Sequence, residues 1–512
     1  MNAAANAKTL KRGRSQGNTT ASALAVLGAV VTTVSNFFIA WLVSRRGAEQ
    51  AGIFFVATAI ATIAGNGAGL GTQTGMVYFL PQALTGPDPS PGGLLRIAAL
   101  PVVTLSVVVA GTLGVLAGPF SGLIAGGSDD LTSMIRVIAL SVPAFALTTT
   151  FLGAARGMGT MTPTVVIGQV LRPGLQIVFL ALTILRREPD AWEIAAAWGA
   201  PIVLGLLASI VSLARLGGLR RGSTSAVDSG EFWTYTRPRS LSTALQAALE
   251  RIDVILVSAF VGKEMAGVYG ALSRYITAGN FLIFSLGQSV APHFRRAISK
   301  ANWTESGRLL QQATGWLVLA AWPYFLLVAL NPEPLARLLD SDYATDARIL
   351  TVLALGMMAS AAAGPIDLAL LMLGRSRASL LAIVVAMTTD VLLVIALTPS
   401  FGIAGAAWAW AVSVAVQNGL ASWLVHRSSP LRAWSQPAAL AAITAIVSVV
   451  PSSLLSRSLL GAGFASLVVS AFLSAILLIV ALGALQLTIG IDRLLPAGIA
   501  ARLPRSSRWA RR

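Results

Sequence analysis

The chain has 512 residues, of which 55% are hydrophobic and 11% charged, with a net charge of +17 and no cysteine. A soluble globular domain carries about a quarter charged residues, so this composition excludes that class and makes lipid the solvent. The missing cysteines exclude a disulfide framework, thiol catalysis and thiolate metal sites.

Apolar runs long enough to cross about 30 Å of hydrocarbon as helices follow one another along the chain. The first six are 18–44, 51–80, 96–116, 131–153, 162–185 and 191–213. A further six are 237–261, 266–291, 309–330, 347–373, 378–398 and 402–425, and two more lie at 437–454 and 464–487. The first run follows a basic head but is too long for a signal peptide and leads into another span, so it reads as an uncleaved helix. The chain is therefore expected to be an all-α polytopic membrane protein with about 14 transmembrane helices.

With the amino terminus in the cytoplasm, most lysines and arginines fall on the cytoplasmic side, including Lys8 to Arg14, Arg215 to Arg239, Arg295 to Arg308 and Arg502 to Arg512. This satisfies the positive-inside rule and places both termini in the cytoplasm of a plasma (inner) membrane protein. Position along the chain thus assigns the basic excess to orientation and to anionic phospholipid headgroups, and not to nucleic acid.

The chain repeats itself. Leu42-Val43-Ser44 followed by Gly47-x-Glu49-x-Ala51-Gly52-Ile53-Phe54 recurs as Leu256-Val257-Ser258 followed by Gly262-x-Glu264-x-Ala266-Gly267-Val268-Tyr269. Fainter echoes follow in the same order. Leu152-Gly153 and Arg156-Gly157 precede the fifth span as Leu373-Gly374-Arg375 precedes the eleventh, and Ile194 to Trp198 matches Ile403 to Trp408. These echoes divide the chain into a basic tail 1–17, an N-lobe 18–216, a cytoplasmic linker 217–238, a C-lobe 239–426, two extra helices within 427–490 and a basic tail 491–512. Six spans per lobe is an even number, so the two lobes relate by a pseudo-two-fold axis along the membrane normal. In the second span Gly67, Gly71 and Gly75 recur every four residues, which predicts close helix packing and a bendable helix.

Ionisable residues inside the predicted spans are Arg136, Arg172, Arg251, Arg274, Glu250, Asp253, Asp367 and Asp390. Each would cost about 2.5 to 3.5 kcal/mol facing lipid at a helix centre, so they must meet one another or a wet cavity. Thr243, Gln246, Glu250 and Asp253 form one stripe at helical period; Gln169, Arg172 and Gln176 form a second, and Arg274, Thr277 and Gln288 share a broad face. Arg172 and Asp390 occupy nearly equivalent repeat positions, which suggests an ion pair made and broken between lobes. Asp367 reads as paired near Arg375, and Arg136 as snorkelling near the external end. His293 and His426 lie at cytoplasmic helix ends and read as surface residues. Asp129 and Asp130 are the feature that a membrane glycosyltransferase would need, but no external loop is long enough for an acceptor domain. No catalytic residue, metal ligand or cofactor is assigned.

Glu49 with Gly69-Leu70-Gly71-Thr72, Arg156-Gly157-Met158-Gly159, Arg251-Ile252-Asp253, Asp342-Tyr343-x-x-x-Ala347 and Pro399-x-Phe401-Gly402-Ile403-x-Gly405 together resemble the polysaccharide-transporter branch of the multidrug/oligosaccharidyl-lipid/polysaccharide (MOP) exporters, with Wzx-type flippases as the nearest sketch. The resemblance implies two lobes that move undecaprenyl-pyrophosphate-linked oligosaccharide from the cytoplasmic to the external leaflet by alternating access, alongside polysaccharide assembly proteins. A related branch handles the peptidoglycan precursor and another exports cationic drugs. A cation-coupled multidrug exporter of the same fold and a polytopic glycan polymerase or ligase are the alternative readings.

Such a cargo needs forked cationic donors for its diphosphate, for which Arg251, Arg274 and Arg172 are the candidates. Its sugars need amide partners, for which Asn36, Gln73, Gln169, Gln246, Asn280 and Gln288 are the candidates. Glu250, Asp253 and Asp390 are the candidates for coupling to H+ or Na+, because a carboxylate in a low-dielectric cavity holds a proton or a hard cation.

Overall fold

The computed structural model describes residues 27–28, 30–85, 90–186, 188–220 and 228–489. The expected basic tails, 1–17 and 491–512, lie outside them. The chain is an all-helical polytopic membrane protein: ten described helical runs are long and apolar enough to cross a membrane. One of these, Ser376–Ser428, has 53 residues with non-helical backbone at Gly402 (φ 57°), so it holds the two spans expected at 378–398 and 402–425. The remaining expected spans correspond to the short apolar helix Val30–Ser44 and to the more polar stretch that follows Asp228.

Two compact units divide the chain. The first comprises Met1–Phe281, Ala336–Ile349 and Leu380–Ser413, and the second Leu282–Leu335, Leu350–Ser379 and Val414–Arg512.

In the first unit, α1 (Val30–Ser44) leads through the turn at Gly47 into α2 (Ala48–Ala68) and α3 (Thr72–Thr85). The expected second span is broken between α2 and α3, where Leu70 (φ 51°) and Gly71 (φ 63°) take left-handed backbone. The helices α4 (Pro91–Val115), α5 (Ala117–Ala125), α6 (Asp129–Ala139) and α7 (Val142–Gly157) come next, followed by a π-helical run, Thr164–Leu171, that continues into α8 (Arg172–Ile184) and then α9 (Ala191–Arg215). The stretch expected as linker ends early. Asp228 caps α10 (Ser229–Leu249) by accepting from the Gly230 and Glu231 amides, so helix begins at Ser229, ahead of the span expected from 237.

The expected seventh span is also broken. The chain leaves helix at Glu250 and Arg251 (φ −137°) and restarts as α11 (Ile252–Phe260), before α12 (Lys263–Ser299).

The glycine stripe is a packing device, as its spacing predicted. A Cβ on Gly75 would lie 2.6 Å from the Thr236 hydroxyl, one on Gly71 2.8 Å from the Ser240 amide, and one on Gly67 3.9 Å from the Ala244 Cβ. The three contacts step antiparallel along α10, four residues at a time, and they let main chains approach where no hydrophobic force draws helices together. Beside them Phe79, Phe232, Met76, Leu80 and Leu213 form a buried core, capped by Tyr78 stacked on Tyr235 at 4.4 Å.

The repeat passage supplies a second close approach. A Cβ on Gly52 would collide with the Lys263 carbonyl oxygen, and one on Gly267 with the Ala48 carbonyl oxygen. The two starts of α2 and α12 therefore cross in a reciprocal contact, braced by Lys263 Nζ on Glu49 Oε1 at 2.6 Å.

The second unit holds α13 (Trp303–Leu330), α15 (Ile349–Ala363) from Leu350 on, α16 (Ile366–Met372), α18 (Gln436–Leu460) and α19 (Phe464–Ile489); α14 (Pro332–Leu339) begins at its edge. The expected span 347–373 is interrupted at Gly364 (φ 72°), whose Cβ position abuts the Thr314 hydroxyl. Side chains tie these helices through main-chain carbonyls: Arg457 Nη1 donates to Leu330 O (2.6 Å), Trp322 Nε1 to Met358 O (3.0 Å) and Thr351 Oγ1 to Ala329 O (2.8 Å). Between α18 and α19, Ser448, Ser452 and Ser456 on one helix and Ser466, Ser470 and Ser474 on the other are all buried, and Ser452 and Ser474 share a hydrogen bond of 2.5 Å.

A carboxylate and arginine site within the first unit

The break between α10 and α11 sets the site. Because Glu250 and Arg251 leave the helix, Asp253 sits in the first turn of α11, its Oδ1 accepting from the Val254 amide at 2.9 Å. Its other oxygen, Oδ2, accepts from the Tyr269 hydroxyl at 2.6 Å. Tyr269 is fully buried and Asp253 is 5% exposed. Two further groups complete the arrangement: Asp390, fully buried, which feels the charge of Asp253, and Arg274, which neighbours both Asp253 and Arg251.

Asp390 differs from Asp253 in a decisive way. Neither of its carboxylate oxygens has a hydrogen-bond partner, and the nearby Ser413 hydroxyl donates to the Trp410 carbonyl at 2.8 Å. A buried carboxylate without donors is costly unless it takes up a proton or a cation.

Arg274 is nearly buried, with its guanidinium 4.9 Å above the Phe55 ring centre. Phe55 itself presses on Gly270, whose Cβ would lie 2.6 Å from the ring. Among the described residues, no ion pair within 4.0 Å involves Arg172, Arg251, Arg274, Asp253 or Asp390. Arg172 and Arg274 are thus held by aromatic faces, and all three arginines keep their forked donors out of ion pairs.

The other sequence candidates separate. Glu250 is exposed and accepts from Gln246 at 3.3 Å, so the expected stripe Thr243, Gln246, Glu250, Asp253 does not form one face. Arg172 stacks 5.6 Å above Phe145 and makes no ion pair with Asp390; its Nε and the Gln169 Oε1 are buried without partners. Gln176 is buried and donates to the Trp198 carbonyl at 3.0 Å, which makes it a packing residue between α8 and α9. Asn36 and Gln73 are half-buried and Asn280 is exposed on α12. Gln288 lies further along α12, with its side chain outside the described residues. Asp367 accepts from the Ser379 hydroxyl at 2.5 Å, and Asp130 from Gln50 Nε2 at 3.1 Å. Tyr269 was absent from the sequence candidates, although it stands in the repeat passage at the place of Phe54.

The family description MatE matches residues 238–398, a stretch that contains Arg251, Asp253, Tyr269, Arg274 and Asp390. The structure is similar to that of the lipid II flippase MurJ in an inward closed conformation, with a TM-score of 0.70 at 11% identity over 91% of this chain and 98% of that one. The chain has the fold of a MOP-type transporter. An inward-facing MATE-family multidrug resistance transporter of the MOP superfamily is similar over 78% of this chain and 94% of its own (TM-score 0.58, 17% identity). A mutant form of the Vibrio cholerae MATE transporter VcmN is similar over 81% and 96% (TM-score 0.59, 16% identity). No curated protein matches the chain in sequence.

Proposed function

We propose that this chain is a MOP-superfamily transporter that flips undecaprenyl-pyrophosphate-linked oligosaccharide from the cytoplasmic to the external leaflet by alternating access of the lobes 18–216 and 239–426. The observation that carries the reading is Arg274, nearly buried on Phe55 beside Arg251, with neither guanidinium consumed by an ion pair. Forked cationic donors in a low-dielectric setting suit a diphosphate better than a cationic drug. The length of the MurJ likeness supports a lipid-linked cargo, since it covers 91% of the chain against 78% for the MATE-family transporter. Both termini are cytoplasmic in this reading, the prenyl tail stays in lipid, and polysaccharide assembly proteins are the expected partners. Arg172, Asn36, Gln73, Gln169, Gln246, Asn280 and Gln288 are secondary contacts for phosphate and sugar.

Coupling to Na+ or H+ belongs to Asp253 and Asp390, with exposed Glu250 at the margin of the site. The unsatisfied oxygens of Asp390 support this assignment.

The test is transfer of a short-chain prenyl-pyrophosphoryl oligosaccharide across reconstituted liposomes, with lipid II and a cationic dye as competing cargoes. Loss of oligosaccharide transfer in Arg251→Ala and Arg274→Ala, with membrane insertion unchanged, is the expected result. Dye transport by the native chain without glycolipid transfer would assign it to the drug exporters.

A further inference from the structure

The two carboxylates of the site are held unequally, and the inequality appears only in the second copy of the repeat. Aligning Leu42-Val43-Ser44 on Leu256-Val257-Ser258 places Ile39 opposite Asp253, and the following passage places Phe54 opposite Tyr269. Both members of the Tyr269–Asp253 hydrogen bond are therefore apolar in the first copy, where Ile39 and Phe54 are buried. A hydroxyl inserted alone would be an orphan donor and a carboxylate inserted alone an orphan acceptor, each costly in a buried site. They occur as a pair.

Resting on the coupling role proposed above for Asp253 and Asp390, we infer that Tyr269 is a positioning residue: its hydroxyl immobilises Asp253 as the fixed wall of the coupling site and leaves Asp390 as the carboxylate that exchanges partners. Asp253 has both oxygens engaged, one by the Tyr269 hydroxyl and one by the Val254 amide, whereas Asp390 has neither. A cation entering between them meets one pre-oriented ligand and gains most from the group that had no donors. Partners that orient a ligand in this way commonly contribute ten- to a hundred-fold to affinity. Arg251 and Arg274 limit how much negative charge the pair presents, so sodium is the fitting probe, and a divalent ion would need more oxygens.

The experiment needs no transport substrate. Full-length protein in detergent is melted across a sodium chloride series balanced with choline chloride. The native chain is expected to gain a saturable rise in Tm; Tyr269→Phe should need about tenfold more sodium for half the rise, from a Tm in choline lowered by the orphaned Asp253 oxygen, and Asp390→Asn should lose the sodium response while remaining folded. Equal half-saturation in Tyr269→Phe and native protein, or no sodium response in the native chain, overturns the inference. Either result leaves the glycolipid reading to its own transfer assay.

Discussion

Gly52 and Gly267 hold equivalent places in the repeat and pack as a reciprocal pair, each occupying the one position where the other copy's preceding turn presents a main-chain carbonyl. Backbone cannot retreat as a flexible side chain can, so any side chain here must part the two helices. Gly52→Val or Gly267→Val is expected to destabilise the protein by about 1 to 3 kcal/mol or more, in line with overpacked cores. Gly111 in α4, with nothing within 4 Å of its Cβ position, is the contrast: Gly111→Ala should be neutral or raise Tm slightly, by helix propensity. Thermal melts of the variants in one detergent compare them directly.

The Lys263–Glu49 ion pair braces that crossing but is partly solvated, with side chains 33% and 57% exposed. A double-mutant cycle with Lys263→Ala and Glu49→Ala should return a coupling of about 0 to 1 kcal/mol that shrinks with added salt. A larger, salt-insensitive coupling would show that the pair is shielded in the membrane.

Arg274 depends on Phe55 for its place. Removing the ring forfeits about 0.5 to 2 kcal/mol of cation–π attraction, so Phe55→Leu should raise half-saturating glycolipid concentration by about two- to thirtyfold. Arg274→Lys keeps the charge but loses the forked donors and the stacking plane, and should cost more. Concentration series of liposome transfer separate the two.

Asp390 should show the usual trade between stability and function. With no donor to either oxygen, its carboxylate is a burden that Asp390→Asn relieves. Without a driving cation the variant should melt higher than native protein, by an amount equivalent to about 1 to 3 kcal/mol, while cation-driven transport is lost. A lower Tm would mean that the carboxylate is satisfied in the membrane-embedded protein.

Much of this was legible in the chain. The spans follow from hydropathy, and the spacing of Gly67, Gly71 and Gly75 anticipated their packing because small residues every four positions can serve little else. The neighbourhood of Asp253 and Asp390 was within reach only as two separate intramembrane charges. The breaks in the helices were not legible. Glu250 and Arg251 carry no glycine or proline to announce a break, so Glu250 and Asp253 read as one stripe, whereas the restart at Ile252 leaves Glu250 exposed and turns Asp253 inward onto Tyr269. A π-helical run had the same effect on Gln169, Arg172 and Gln176, since its wider turn shifts the register that a period of 3.6 assumes. Tyr269 gives no signal in the sequence, because a tyrosine at a phenylalanine position reads as packing until its acceptor, Asp253, is in place.

The row of serines between α18 and α19 separates what the hairpin is made of from what specifies it. Lipid tails are as apolar as leucine, so the outward residues of α19, such as Phe472 and Ile479, confer no preference for any partner helix. Register is set instead by small buried serines spaced one turn apart, which let the helices approach, and by the Ser452–Ser474 hydrogen bond across the hairpin. The aliphatic exterior is thus free to drift among Leu, Ile, Val and Phe with the thickness of the host bilayer, while Ser452→Val or Ser474→Val would remove the hydroxyl pair that spans the hairpin.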